Sequence, residues 1–234
     1  MSTSVRVDGL SPNGAGTSRR KPLLLRPLAK PVLFIACLLP FAWLLYGAIS
    51  SAYGVNTLGA NPAETLIRAT GDWTLRFLCI TLAVTPVRQW FKQPALARFR
   101  RMLGLFTFFY GCVHFLCYSW LDMGLVFDDI VRDIAKRPFI LVGTTALLTM
   151  TPLALTSFNR AIKALGAARW RALHRAVYAV ALLAILHFFW MRAAKHNFAE
   201  VAVYAAIIGV LLGGRVLTRL QPSAQRTVSN SSTP

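Results

Sequence analysis

Six runs of roughly 20 mostly apolar residues dominate this chain, and each is about as long as a helix must be to cross a hydrocarbon core. They fall at about 31–53, 73–90, 102–121, 138–156, 170–191 and 198–217 of the 234 residues. A bilayer core offers no water to satisfy backbone N–H and C=O groups, so such runs must be helical. The sequence predicts an all-α, polytopic membrane protein. It has a six-helix transmembrane bundle over residues 31–218 and polar tails at 1–30 and 219–234. Composition agrees, with 56% of residues hydrophobic against about 45–50% apolar in soluble domains.

Charge sets the expected orientation. Basic residues gather in the N-terminal segment (Arg19, Arg20, Lys21, Arg26, Lys30) and in the loop after the second run (Arg88, Lys92, Arg98, Arg100, Arg101). The loop after the fourth run adds Arg160, Lys163, Arg169, Arg171 and Arg175, whereas Asp122, Asp128, Asp129 and Asp133 follow the third. The positive-inside rule then predicts both termini in the cytoplasm. Ser18-Arg19-Arg20 has the look of a twin-arginine signal. The apolar run after it is too long for a signal core and lacks a clear small-residue cleavage site, so a first span behind a disordered tail is expected. The net charge of +18 would suggest a nucleic-acid partner on a soluble domain. Here the basic residues flank apolar runs, so the lipid bilayer is the expected partner and no nucleic acid is. Trp73, Trp90, Trp120, Trp170 and Trp190 fall at predicted helix ends, as an interfacial belt would, while Trp43 lies inside the first run. Thr85-Pro86-Val87-Arg88 and the stretch Thr151 to Ser157 read as terminators of the second and fourth helices.

Several chemistries find no support. The loops are too short for a flavin or nicotinamide domain, and no Gly-x-Gly-x-x-Gly or Gly-x-x-x-x-Gly-Lys motif occurs. Cys37, Cys79, Cys112 and Cys117 lie inside apolar runs without Cys-x-x-Cys spacing, which argues against zinc, covalent haem attachment and a disulfide framework. No set of catalytic residues emerges.

The histidines carry the remaining chemistry. His114 lies in the third run, His174 and His187 in the fifth, and His196 in the last outer loop, where it reads as a surface residue. Ionisable groups within a span are costly and point to function, and neutral imidazole is a common axial ligand of haem iron. At 1.5 Å rise per residue, His114 and His187 each sit roughly 20 Å from the cytoplasmic ends of helices running the same way. They therefore share a level towards the outer leaflet, where they could clamp one haem from both faces. The alternative is a pair of hydrogen-bonding residues between helices. His174 lies near the inner surface, level with Arg100 and Arg101. Arginine stays protonated and cannot serve as an ordinary axial ligand. It can grip a haem propionate, a flavin phosphate or a lipid phosphate, or act as a positive-inside anchor. In one straight helix the 13-residue spacing turns His174 and His187 about 220° apart, so a second haem at His174 needs a break in that helix. A surface role for His174 is the other option.

These residues form an ordered set: Thr70-Gly71-Asp72-Trp73, Thr85-Pro86-Val87-Arg88, then Arg100-Arg101-Met102-Leu103-Gly104-Leu105 leading to Phe109-Tyr110 and His114. Asp133-Ile134, Lys136-Arg137-Pro138-Phe139, Pro152 to Ser157, Trp170, Leu173-His174-Arg175, Tyr178 and His187 follow. Over about residues 30–220 the set resembles the MsrQ (YedZ) family, haem-binding membrane subunits within the ferric-reductase-like transmembrane group. The resemblance implies a b-type cytochrome of the bacterial inner membrane, with one or two haems. It would pass electrons from the quinone pool to a periplasmic molybdenum-containing subunit, MsrP, which reduces methionine sulfoxide in oxidised proteins. It also implies FMN binding, and it places the family's functional histidines on His114, His174 and His187. Wider ferric reductases usually carry two histidines on the equivalent of the third helix, where this chain has one, with Arg100 and Arg101 at the other level. The competing functions are a free-standing transmembrane ferric or other haem reductase and a non-redox transporter with structural histidines.

Overall fold

The computed structural model describes residues 28–193 and 198–220, with side chains as far as residue 217. Most of the predicted N-terminal tail, residues 221–234 of the C-terminal tail and His196 lie outside the described residues. The described chain forms eight α-helices and no strand. Six are long: α1 (Ala29–Ala52), α2 (Pro62–Trp90), α3 (Ala97–Cys117), α5 (Pro138–Leu155), α7 (Val177–Ala193) and α8 (Ala199–Leu220). Two shorter ones, α4 (Phe127–Lys136) and α6 (Asn159–His174, kinked at Gly166 where φ is 74° and ψ 155°), occupy connections. Five helical stretches are long and apolar enough to cross a membrane: Ala29–Ala52, Pro94–Asp122, Pro138–Leu155, Asn159–Ala193 and Ala199–Leu217. The chain is an all-α multi-pass membrane protein.

The sixth bundle member, α2, is more polar and starts 11 residues before its apolar run. Asn61 caps it, its Oδ1 accepting from Glu64 N at 3.1 Å, and Pro62 takes the first turn, where a missing N–H costs nothing. Glu64 pairs with Arg68, and Asp72 lies 3.9 Å from Arg76, each one turn apart. These charges end the hydropathy signal at Trp73 while the helix continues. The tryptophan belt is corrected accordingly. Trp73 lies well inside α2 and packs against the rings of Phe77 and Tyr110, whereas Trp90 and Trp120 are exposed at helix ends as expected. Pro86 and Pro152 precede the last residues of α2 and α5 rather than ending them.

The fifth run is also corrected. It is not one helix, because α6 ends at His174 and α7 begins at Val177, with a turn at Arg175 and Ala176 between them. The angular objection to His174 assumed an unbroken helix and falls away.

α2 packs most extensively along α3, and α5 along α7, so these four form the centre. Leu75, Leu78, Leu82, Met150, Val180 and Phe188 make one buried cluster there. A second cluster joins α1 through Cys37, Phe77, Phe99, Phe106 and Tyr110. Tyr110 has a defined task. Pro40 inside α1 lacks an N–H and strains the preceding turn. The Tyr110 hydroxyl accepts from Phe41 N and donates to Cys37 O, both at 2.9 Å, across the turn that Pro40 disturbs. Tyr110→Phe strands both backbone groups away from water. Denaturant titration in detergent is expected to show a loss of about 1–3 kcal/mol, with α1 the first helix to lose protection in hydrogen exchange.

Candidate functional site

α3 and α7 bring His114 and His187 together, as their matched depth predicts, with ring centroids 6.1 Å apart and planes at 76°. Each ring is fixed by a backbone carbonyl on a neighbouring helix. His114 Nδ1 lies 2.8 Å from Ile67 O on α2, and His187 Nδ1 lies 2.6 Å from Phe139 O on α5. A carbonyl only accepts, so each Nδ1 carries a proton, and in the neutral ring Nε2 then presents a lone pair. That is the tautomer a metal ion takes, with the second nitrogen oriented by a hydrogen bond.

The two helices that supply the carbonyls use the same device. Ile67 lies four residues before Gly71, and Phe139 four before Gly143. On each helix the missing Cβ opens the groove through which the imidazole reaches a carbonyl one turn back. A Cβ on Gly71 would come within 3.1 Å of the His114 ring, and one on Gly143 within 2.7 Å of His187 Nδ1. Sequence reasoning missed both carbonyls and gave neither glycine a role, although Gly71 stands in the motif Thr70-Gly71-Asp72-Trp73. Gly143, inside a predicted span near the depth of His187, was an available signal, whereas Gly71 precedes the predicted second run and gave none.

The pair lines a cavity of about 230 Å³ together with Leu147, Phe139, Phe115 and other residues, with Arg68, Asp122 and Arg137 also contributing. Among the described residues no group of three or more His, Cys, Asp or Glu side chains could hold a bare metal ion. Two imidazoles alone suit a metal whose other ligands come from elsewhere.

The second predicted level is also assembled. His174, Arg100 and Arg101 line a larger cavity of about 660 Å³ with Trp170 and Tyr178. His174 stacks on Trp170 with centroids 4.0 Å apart, and its Nδ1 lies 3.1 Å from Trp170 O. Trp170 Nε1 in turn donates to Thr156 O at 2.9 Å, tying α6 to the end of α5. His174 Nε2 is buried and has no hydrogen-bond partner. Arg101 donates to Asn159 Oδ1 at 2.8 Å, a contact that the sequence did not suggest. Leu78, Met150 and Val180 line both cavities, so one apolar layer separates them.

The family of ferric reductase like transmembrane components matches residues 70–185, the stretch that carries His114, His174 and both glycines and ends just short of His187. The protein-methionine-sulfoxide reductase heme-binding subunit MsrQ of Polaromonas naphthalenivorans is 63% identical over 212 residues, covering 91% of this chain and 94% of that relative. The chain belongs to the MsrQ family. Other MsrQ heme-binding subunits agree: that of Herminiimonas arsenicoxydans is 49% identical over 81% of this chain and 84% of its own length. That of Ralstonia nicotianae is 47% identical over 86% and 90%. In this MsrQ-family chain the glycine contacts make a graded prediction. Gly143→Ala drives a Cβ against the very Nδ1 that the Phe139 carbonyl pins, and is expected to cost about 1–3 kcal/mol in unfolding experiments. Gly71→Ala, with the looser contact, is expected to cost clearly less.

Proposed function

We propose that this chain is a b-type cytochrome subunit that carries electrons across the bacterial inner membrane for a methionine-sulfoxide reductase. The observation that carries the proposal is the His114/His187 pair. The two ring centroids are 6.1 Å apart, near enough for both imidazoles to hold one metal centre. The donor chemistry fits haem as well: two neutral imidazoles on separate helices, each held by a carbonyl, in a cavity with apolar and aromatic walls. When bound, haem supplies one-electron redox chemistry. The protein's part is to orient both rings through the Ile67 and Phe139 carbonyls and to wall the cavity largely with apolar side chains.

His174 Nε2, buried and unpartnered beside Arg100 and Arg101, supports a second cofactor at the other level, either another haem or the FMN that the family resemblance implies. Arg100 and Arg101 would then grip its propionates or phosphate. By the distribution of basic residues, the His174 level faces the cytoplasm and the His114/His187 level the periplasm. Electrons from the quinone pool would leave at the outer pair towards a periplasmic molybdenum subunit, MsrP. The relatives are named subunits of a protein-methionine-sulfoxide reductase, which favours this reading over a free-standing reductase.

Haem content and reduced-minus-oxidised spectra of the purified wild type and three variants test it. His114→Ala and His187→Ala are each expected to lose the same b-type haem, at least 10-fold in affinity. His174→Ala is expected to keep that haem and lose only what the other cavity holds. Full retention of haem in both His114→Ala and His187→Ala refutes the pairing.

A further inference from the structure

The His114/His187 cavity is lined by two cations, Arg68 and Arg137, and by the carboxylates of Asp72 and Asp122, and the two cations are held differently. Tyr118 lies one turn beyond His114, in a π-helical turn, Tyr118–Asp122, that extends α3. It is buried and lines the cavity. Its hydroxyl donates to Asp133 Oδ2 at 2.6 Å, and Arg137 Nε donates to Asp133 Oδ1. Asp133 is thus engaged on both oxygens and fixes the guanidinium by its Nε edge. This is the only side-chain hydrogen bond of Arg137 among the described residues. Both terminal nitrogens are left over, and they form a fork that suits carboxylates. Arg68, by contrast, spends a terminal nitrogen on Glu64.

The backbone locks Arg137 in place as well. Pro138 pushes the residue before it out of the helical region, and Arg137 is extended at φ −103° and ψ 105°, between α4 and α5. Phe139, two residues on, supplies the carbonyl that orients His187. Arg137 and the Phe139 carbonyl thus come from one short segment beside the cavity. A planar macrocycle seated between the histidines would have apolar walls on most sides and two carboxylate side chains needing a cation at the open rim.

We infer that Arg137, positioned by Tyr118 and Asp133, recognises the propionate carboxylates of the porphyrin held by His114 and His187. This rests on the haem reading above. The test compares protohaem with its dimethyl ester, which lacks free carboxylates, on the haem-free full-length protein in detergent. In the wild type the ester is expected to bind at least about 10-fold more weakly, the worth of one charge-assisted hydrogen bond. In Arg137→Gln both porphyrins are expected to bind within about 2-fold of each other, because the partner of the carboxylates is gone. Arg137→Lys keeps the charge without the fork and is expected to fall between. Tyr118→Phe frees Asp133 and is expected to shrink the ester penalty while leaving a bis-histidine absorption spectrum. An ester penalty that is the same in wild type and Arg137→Gln overturns the inference, as does an unchanged penalty in Arg137→Lys and Tyr118→Phe should the glutamine variant not fold. A wild type that takes up neither porphyrin defeats the haem reading itself.

Discussion

An imidazole placed in a hydrocarbon layer is costly unless its N–H is paired. His114 and His187 meet this constraint by donating to the carbonyls of Ile67 and Phe139. Much of the site follows from these two bonds. They choose the tautomer, so both Nε2 atoms are lone pairs. They require two other helices, α2 and α5, to present a carbonyl at the right depth. They require Gly71 and Gly143 one turn further on, because a side chain there would close the groove. The tight pairing of α2 with α3 and α5 with α7 at the bundle centre is the packing that this arrangement needs.

The depth of the histidine pair was legible because helix rise is fixed and the positive-inside bias gives both helices the same direction. Angular position was less legible. The break between His174 and Val177 has no proline or glycine to mark it, only Arg175 and Ala176 within an otherwise continuous apolar pattern. The start of α2 was hidden for the opposite reason: Glu64, Arg68, Asp72 and Arg76 suppress hydropathy, although Asn61 and Pro62 are a helix start in plain view. The carbonyl partners could not be read from side-chain identity, since any residue offers a carbonyl. What distinguishes these two is the glycine four positions later.

The two cavities differ in what they can hold. One is smaller and built around a paired histidine set. The other is larger and strongly basic, with one histidine nitrogen left over. Leu78, Met150 and Val180 lie between them as a shared apolar layer. The Tyr118–Asp133–Arg137 chain adds polar order at the rim, where the bundle meets the α4 connection.

Electron paramagnetic resonance of the oxidised full-length protein tests the central claim most directly, because it reports the axial ligands and the angle between them. With imidazole planes crossed at 76°, the account predicts a low-spin ferric signal with the strong anisotropy of near-perpendicular bis-histidine ligation, lost in His114→Ala and in His187→Ala. A wild type without this low-spin signal, or a signal that survives in either variant, would contradict it.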